Sequence, residues 1–264
     1  MHDIHNHILA GVDDGCKTFE ASMEMVRIAE SNGIKTIIAT PHYIPGFSTN
    51  PSVETIRNMV KELNDNIKEQ GLSVDVLAGM EVFISPELSE LYERGEILTL
   101  NDTRYMLIEL PANSMPAYLD DVMFKLQVCG LIPVIAHPER NHVFGRSPEI
   151  MIKMANRGIL FQINSGSLTG IFGKQVRSFA LSLLSIGLVH IVASDAHSTH
   201  LRKPELKQAY EIIAAKDKSA FEKIIENTNK IICNKEIMNE HINIKDKNKT
   251  NCNLMYLLNS VIGK

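Results

Sequence analysis

The sequence predicts an α/β fold, an irregular (β/α)7 barrel, and three observations lead there. Short apolar runs alternate with amphipathic segments along most of the 264 residues. The runs are rich in β-branched residues and apolar almost throughout, the pattern of parallel strands covered on both faces. Seven such runs can be counted, and strand-helix-strand repetition builds right-handed units around a parallel sheet. Seven strands favour a closed barrel over an open doubly wound sheet.

His2 to His7 opens the chain as the first strand. Thr36 to Thr40, Val74 to Gly79, Tyr105 to Leu110, Ile132 to Ala136, Leu160 to Asn164 and Val189 to Ser194 follow. Between them, Phe19, Met23, Val26 and Ala29 repeat at helical spacing, with Gly33 as a stop signal. Val53, Ile56, Val60, Leu63 and Ile67 repeat likewise and end near Gly71. Leu119 to Cys129, Pro148 to Arg157 and Gln175 to Ile186 continue the alternation. After about residue 236 the composition changes: Asn239 to Asn253 is rich in Asn and Lys without a clear period, and Leu254 to Ile262 offers a short apolar patch. The expected organisation is one domain over residues 1–236 and a C-terminal tail over 237–264.

Composition narrows the function. With 44% hydrophobic residues the chain buries a sizeable core, and a net charge of −4 argues against a general nucleic-acid binder. The N-terminus lacks the basic start and apolar core of a signal peptide. The longest apolar stretch, Ala180 to Ala193, is too short for a membrane span, so no membrane insertion is expected and the expected location is the cytoplasm. The four cysteines form no CxxC pair, and none is followed six residues later by the Arg of a cysteine-phosphatase loop. Nucleotide-cradling GxGxxG and GxxxxGK[ST] motifs and the GxSxG elbow are absent from the sequence.

Parallel α/β folds place their sites at the carboxyl ends of the strands. The first strand ends in His5-Asn6-His7, whose imidazoles share a face because strand side chains alternate. The second runs into His42, the third into Glu81, and the fourth carries Glu109 near its end. The fifth ends at His137 and the seventh at Asp195-Ala196-His197, while the sixth, ending Asn164-Ser165, offers no strong metal ligand. Singly, each has a bland explanation as a hydrogen-bonded histidine, a solvated carboxylate or a helix cap. Six of seven strand ends carrying such groups is another matter, because several carboxylates in one mouth are costly without cations.

Val12-Asp13-Asp14-Gly15 adds a tight turn soon after the first strand, in which Gly15 is expected to supply an unusual backbone angle. One aspartate would point at the metals while the other holds the turn; spacing does not choose between them. The ligand count exceeds the three or so of a single catalytic zinc, so two or three ions bridged by a carboxylate are implied. Mixed imidazole and carboxylate donors suit Zn, Mn, Fe or Co. Clustered metals suit hydrolysis of phosphate esters. Arg140 and Arg202, close after His137 and His197, are placed to offer forked donors to phosphate. His2, His142, His190, His200 and His241 are weaker candidates.

These residues resemble the polymerase-and-histidinol-phosphatase (PHP) superfamily, in its branch of bacterial capsule and exopolysaccharide tyrosine phosphatases. The resemblance rests on Asp3-Ile-His-Asn-His7, Val12-Asp-Asp-Gly15, Ala39-Thr-Pro-His42, Gly79-Met-Glu81, Leu107-Ile-Glu109, Ile135-Ala-His-Pro-Glu-Arg140 and Ala193-Ser-Asp-Ala-His197. Asn101-Asp102 and Ser165 to Lys174 also look like that branch, and the likeness runs to about residue 236. It implies a distorted, TIM-like barrel of PHP type with three metals, commonly manganese. By motif, His5, His7, Glu81 and Asp195 would hold one ion, Asp14, His42 and His197 the second, and Glu109 with His137 the third, Glu81 bridging. Arg140 and Arg202 would bind phosphate. The implied activity is phosphotyrosine hydrolysis on the tail of a polysaccharide-export kinase. A small-molecule phosphomonoesterase such as a histidinol phosphatase is the alternative, and a non-catalytic metal-stabilised regulatory domain a third reading.

Overall fold

In a computed structural model, which describes residues 1–238 and 241–242, the seven expected strands fall into nine segments. They are β1 (His2–Asn6), β2 (Thr36–Ala39), β3 (His42–Tyr43), β4 (Asp75–Ala78), β5 (Glu81–Phe83), β6 (Tyr105–Glu109), β7 (Ile132–Ala136), β8 (Leu160–Asn164) and β9 (Ile191–Ala193). All pair in parallel, in the orders β1-β2-β4 and β3-β5-β6-β7-β8-β9. β2 and β3 are the two halves of one stave broken at Thr40-Pro41, and β4 and β5 are the halves of the next, broken at Gly79-Met80. Pro41 has no N–H for the ladder. At Gly79 a Cβ would press on Ile38 of the neighbouring stave, 2.8 Å away.

The circle closes between the first and last strands. Asn6 bridges Ala196 in parallel, Asp195 N–H donates to the His5 carbonyl at 2.9 Å, and His7 N–H donates to the Ala196 carbonyl at 2.9 Å. The result is a seven-stave barrel, irregular as expected.

The helices are α1 (Phe19–Ser31), α2 (Val53–Glu69), α3 (Leu88–Glu93), α4 (Leu119–Val128), α5 (His142–Arg146), α6 (Glu149–Ala155), α7 (Ser165–Thr169), α8 (Lys174–Ser185), α9 (Lys207–Lys216) and α10 (Lys218–Ile232). Side-chain oxygens of Thr18, Ser52, Asn141 and Asp217 accept from first-turn N–H groups at the starts of α1, α2, α5 and α10. Helices α3, α5, α7, α9 and α10 lie outside the segments where the sequence pattern predicts a helix. No described helix is long and apolar enough to cross a membrane.

Strand alternation divides the apolar side chains into two sets. Ile4, Ile38, Leu107, Val134, Leu160 and Ile191 fill the barrel interior, with Ile231 of α10 and Ile237 beside them. Ile37, Val76, Met106, Ile108, Ile135, Phe161 and Val192 pack outward against the helices. The beginning of the expected tail docks on this body: Ile237 N–H donates to Tyr105 Oη at 3.1 Å, and Ile242 N–H donates to Asn156 Oδ1 at 2.9 Å. The Leu254 to Ile262 patch lies outside the described residues.

Candidate metal centre

The carboxyl ends of the staves converge on one mouth, and all nine predicted ligand residues stand there. Among the described residues their donor atoms form four overlapping groups: His7-Asp14-His42-His197, His5-His7-Glu81, His5-His137-Asp195 and His42-Glu81-Glu109. The pairing differs in part from the one implied by motif. His7 faces the Asp14 set as well as Glu81, His42 groups with Glu109, whose Oε1 is also 3.9 Å from His137 Nε2, and His137 groups with His5 and Asp195. Glu81 lies among three imidazoles, with Oε1 2.9 Å from His137 Nε2 and Oε2 3.1 Å from His5 Nε2 and from His42 Nδ1.

Backbone geometry aims two of these groups. His137 and Asp195, each at the end of a strand, have φ of 31° and 52°, in the left-handed region that non-glycine residues avoid. Such strain persists where surrounding structure fixes it, often at functional sites.

The turn after β1 resolves the choice between the two aspartates. Asp13 holds the turn: its Oδ1 accepts from Gly15 N–H at 2.8 Å, and its Oδ2 accepts from His7 Nδ1 at 2.7 Å and from His42 N–H at 3.1 Å. Asp14 turns the other way, its Oδ1 3.4 Å from His42 Nε2 and 3.3 Å from His197 Nε2. The expectation for Gly15 needs correcting. Its backbone is not left-handed; glycine is required by close approach, since a Cβ would collide with the Cβ and carbonyl oxygen of His7.

Spacing along the sixth stave suggested nothing, yet it supplies the buried polar support. Gln162 Oε1 accepts from His5 Nδ1 at 2.8 Å, Gln162 Nε2 donates to Asn164 Oδ1 at 2.9 Å, and Asn164 Nδ2 donates to Asp195 Oδ2 at 2.6 Å. A period-two pair of amides in an otherwise apolar strand was the available signal. Below it, buried Glu139 Oε1 accepts from Asn164 N–H at 2.9 Å and Ser167 Oγ at 2.6 Å, tying the His137 turn to β8.

These contacts set the tautomers. With Nδ1–H of His5, His7 and His197 donating to Gln162, Asp13 and the Asp195 carbonyl, each Nε2 is turned toward the cluster. That is how ligating histidines are oriented, the second ring nitrogen anchored by an oxygen. The donor set also fits cations in its charges. Burial by itself would push Glu81 up, but His5, His137 and His7 hold it well below the usual carboxylate range. Asp195, also buried, is likewise held well down by His5, His7 and Arg202. Reciprocally, burial opposes charge on His5 and His7, yet the carboxylates raise both. The carboxylates thus demand positive charge at the point where the imidazoles converge. A bound divalent ion would meet that demand in place of the imidazole protons. Glu81 Oε2 is buried with no well-formed hydrogen bond although ring nitrogens surround it, as suits an oxygen meant for a metal.

Both predicted arginines reach the same mouth. Arg140 Nη1 lies 3.2 Å and Arg202 Nη2 2.5 Å from Asp195 Oδ2. Their guanidiniums lie over the Phe172 ring, 4.7 and 5.9 Å from its centroid. The weaker histidines belong to none of the ligand groups. His190, for one, is a buried core residue whose Nδ1 accepts from Phe161 N–H at 3.1 Å.

Residues 1–233 match the family described as capsular polysaccharide synthesis, CpsB/CapC. The chain belongs to the CpsB/CapC family. Within it, the chain is 41% identical over 213 residues to the tyrosine-protein phosphatase YwqE of Bacillus subtilis, covering 81% of this chain and 84% of that one. It is 33% identical to the tyrosine-protein phosphatase CpsB of Streptococcus pneumoniae, covering 88% and 98% of the two chains. The fold superposes with a TM-score of 0.88 at 37% identity, over 92% of this chain and 98% of the other, on a crystal structure from work on YwqE and CpsB as metal-dependent tyrosine phosphatases. The CpsB/CapC assignment thus spans both the barrel and every ligand position in it.

Proposed function

We propose that this CpsB/CapC protein is a metal-dependent protein-tyrosine phosphatase, a phosphoric monoester hydrolase acting in capsule or exopolysaccharide synthesis. The single observation that carries the reading is the convergence of nine imidazole and carboxylate residues with two guanidiniums beside them. Its relatives are named as tyrosine-protein phosphatases, which supports the same activity.

The nine residues would hold three divalent ions, manganese by family resemblance, with Glu81 between them. Bound divalent cations activate water near neutral pH and neutralise a phosphoryl group. The protein's part is to place and hold. Asp13 and Gln162 keep His7 and His5 in register, and Asn164 holds Asp195. Arg140 and Arg202, stacked on Phe172, present forked donors to the non-bridging phosphate oxygens as charge develops. A tyrosinate leaving group, with a free pKa of about 10, needs little help from a general acid. The physiological substrate is proposed to be the phosphotyrosine tail of a polysaccharide-export kinase, met in the cytoplasm.

Parallel assays on a phosphotyrosyl peptide and on histidinol phosphate, with metal analysis of the purified protein, test the reading. Higher kcat/KM on the peptide is expected. Equal or better turnover of histidinol phosphate would move the assignment to a small-molecule phosphatase.

A further inference from the structure

A groove of about 390 Å3 opens directly beside the ligand cluster, lined on one side by Asp14, His42 and Glu109. Val12, Ile44, Phe47 and Phe83 give its lining apolar surface, with Thr49 and Asn50 beside them. The volume lies in the range of small-molecule sites, which combine apolar walls with a few convergent polar groups. Phe47 stands at the rim with 61% of its surface exposed. Leaving a large aromatic side chain in water forgoes its burial energy, and one poised over a groove has a surface to offer.

Its loop is held rather than loose. Asn50 Oδ1 accepts from Ile44 N–H at 2.9 Å, Asn50 Nδ2 donates to the Ile44 carbonyl at 2.7 Å, and Phe47 N–H donates to that carbonyl at 3.1 Å. The opposite side of the mouth differs. There the Phe172 ring carries the guanidiniums of Arg140 and Arg202, 4.7 and 5.9 Å from its centroid. A phosphate ester seated at the cluster borders the Phe47 groove directly, because Asp14, His42 and Glu109 belong to both.

We propose that this groove is the specificity site for the phenyl ring of phosphotyrosine, with Phe47 as its stacking partner and Val12, Ile44 and Phe83 as the walls. The assignment rests on the phosphotyrosine reading above and adds residues outside the ligand set. A planar ring packs against another in offset or edge-to-face contact, which an alkyl phosphate cannot reproduce.

The test is steady-state kinetics of the metal-loaded wild type, Phe47→Ala and Phe47→Tyr on a phosphotyrosyl peptide, alongside inhibition by inorganic phosphate. Phosphate reports on the cluster without the ring. Phe47→Ala should raise KM about three- to tenfold at similar kcat, the range of one lost aromatic pair. Phe47→Tyr should restore the wild-type KM, and the inhibition constant of phosphate should be the same in all three. An unchanged KM in Phe47→Ala, or a KM and phosphate constant that rise together, overturns the ring site. A wild type inert on the peptide but active on another phosphomonoester overturns the phosphotyrosine reading instead, so the two failures are distinguishable.

Discussion

Asp13 and His7 form a 2.7 Å carboxylate-imidazole pair behind the ligand cluster, and the same Asp13 oxygen also accepts from the His42 N–H. One side chain that belongs to none of the ligand groups therefore positions two residues that do.

Asp13→Ala should weaken metal binding about 10- to 100-fold, the usual cost of removing a partner that orients a ligand. Competition with a chromophoric chelator measures it. Activity should return at high metal concentration, which would not happen if Asp13 served in the chemical step. Affinity equal to wild type would show that the pair is not what orients His7.

Arg140 and Arg202 share Asp195 Oδ2. Either changed to Ala should lower kcat/KM on a phosphotyrosyl peptide by about 100-fold, comparable to losing one donor to a developing oxyanion. Metal content should stay at the wild-type level. Lys at either position should recover only part of the rate, because a point charge cannot fork. The two Ala changes should combine non-additively, since the side chains contact a common partner. Metal loss in either single variant would recast the arginines as structural.

Gly15→Ala places a methyl group against the buried His7. Overpacking of this kind costs about 1–3 kcal/mol. Calorimetry should show a lower Tm, and metal affinity should fall with it because His7 is displaced. A variant with wild-type Tm and affinity would mean that the turn can open without cost.

His190 gives a pH prediction away from the mouth. Burial, helped by Lys223, lowers its pKa from 6.5 to about 4. Above pH 6.5 it is neutral in both folded and unfolded chains and contributes no pH dependence. As pH falls from 6.5 toward 4, the unfolded chain takes up a proton that the folded one refuses, and stability is progressively lost. The full shift corresponds to about 3 kcal/mol at 1.36 kcal/mol per unit. Urea titrations of His190→Gln, whose amide oxygen can still accept from Phe161 N–H, should show a shallower decline over that window. An identical pH profile would place the acid sensitivity elsewhere.

Much of the fold was legible because strands and amphipathic helices carry their periods locally. Ile132–Ala136 and Leu160–Asn164 are strands at the expected bounds. The pattern does not show the breaks at Thr40-Pro41 and Gly79-Met80, which divide two staves, or helices α3, α5, α7, α9 and α10. The breaks follow from a ladder interrupted by proline and from the crowding of Gly79 against Ile38, and the latter depends on a neighbouring strand.

By itself the sequence determined eight of the nine ligand candidates and their common location, because a parallel barrel brings every strand end to one face whatever the loops do. Tertiary structure alone decided how they group and what supports them. Asp13 and Asp14 are adjacent and chemically alike, and only the backbone path of their turn sends one to His7 and the other to His42 and His197. Gln162 and Asn164 matter because β8 lies beside β9 and faces His5 across the interior, contacts between residues far apart in the chain. Strand periodicity says which face a residue takes. Its partner on that face is set by closure of the barrel.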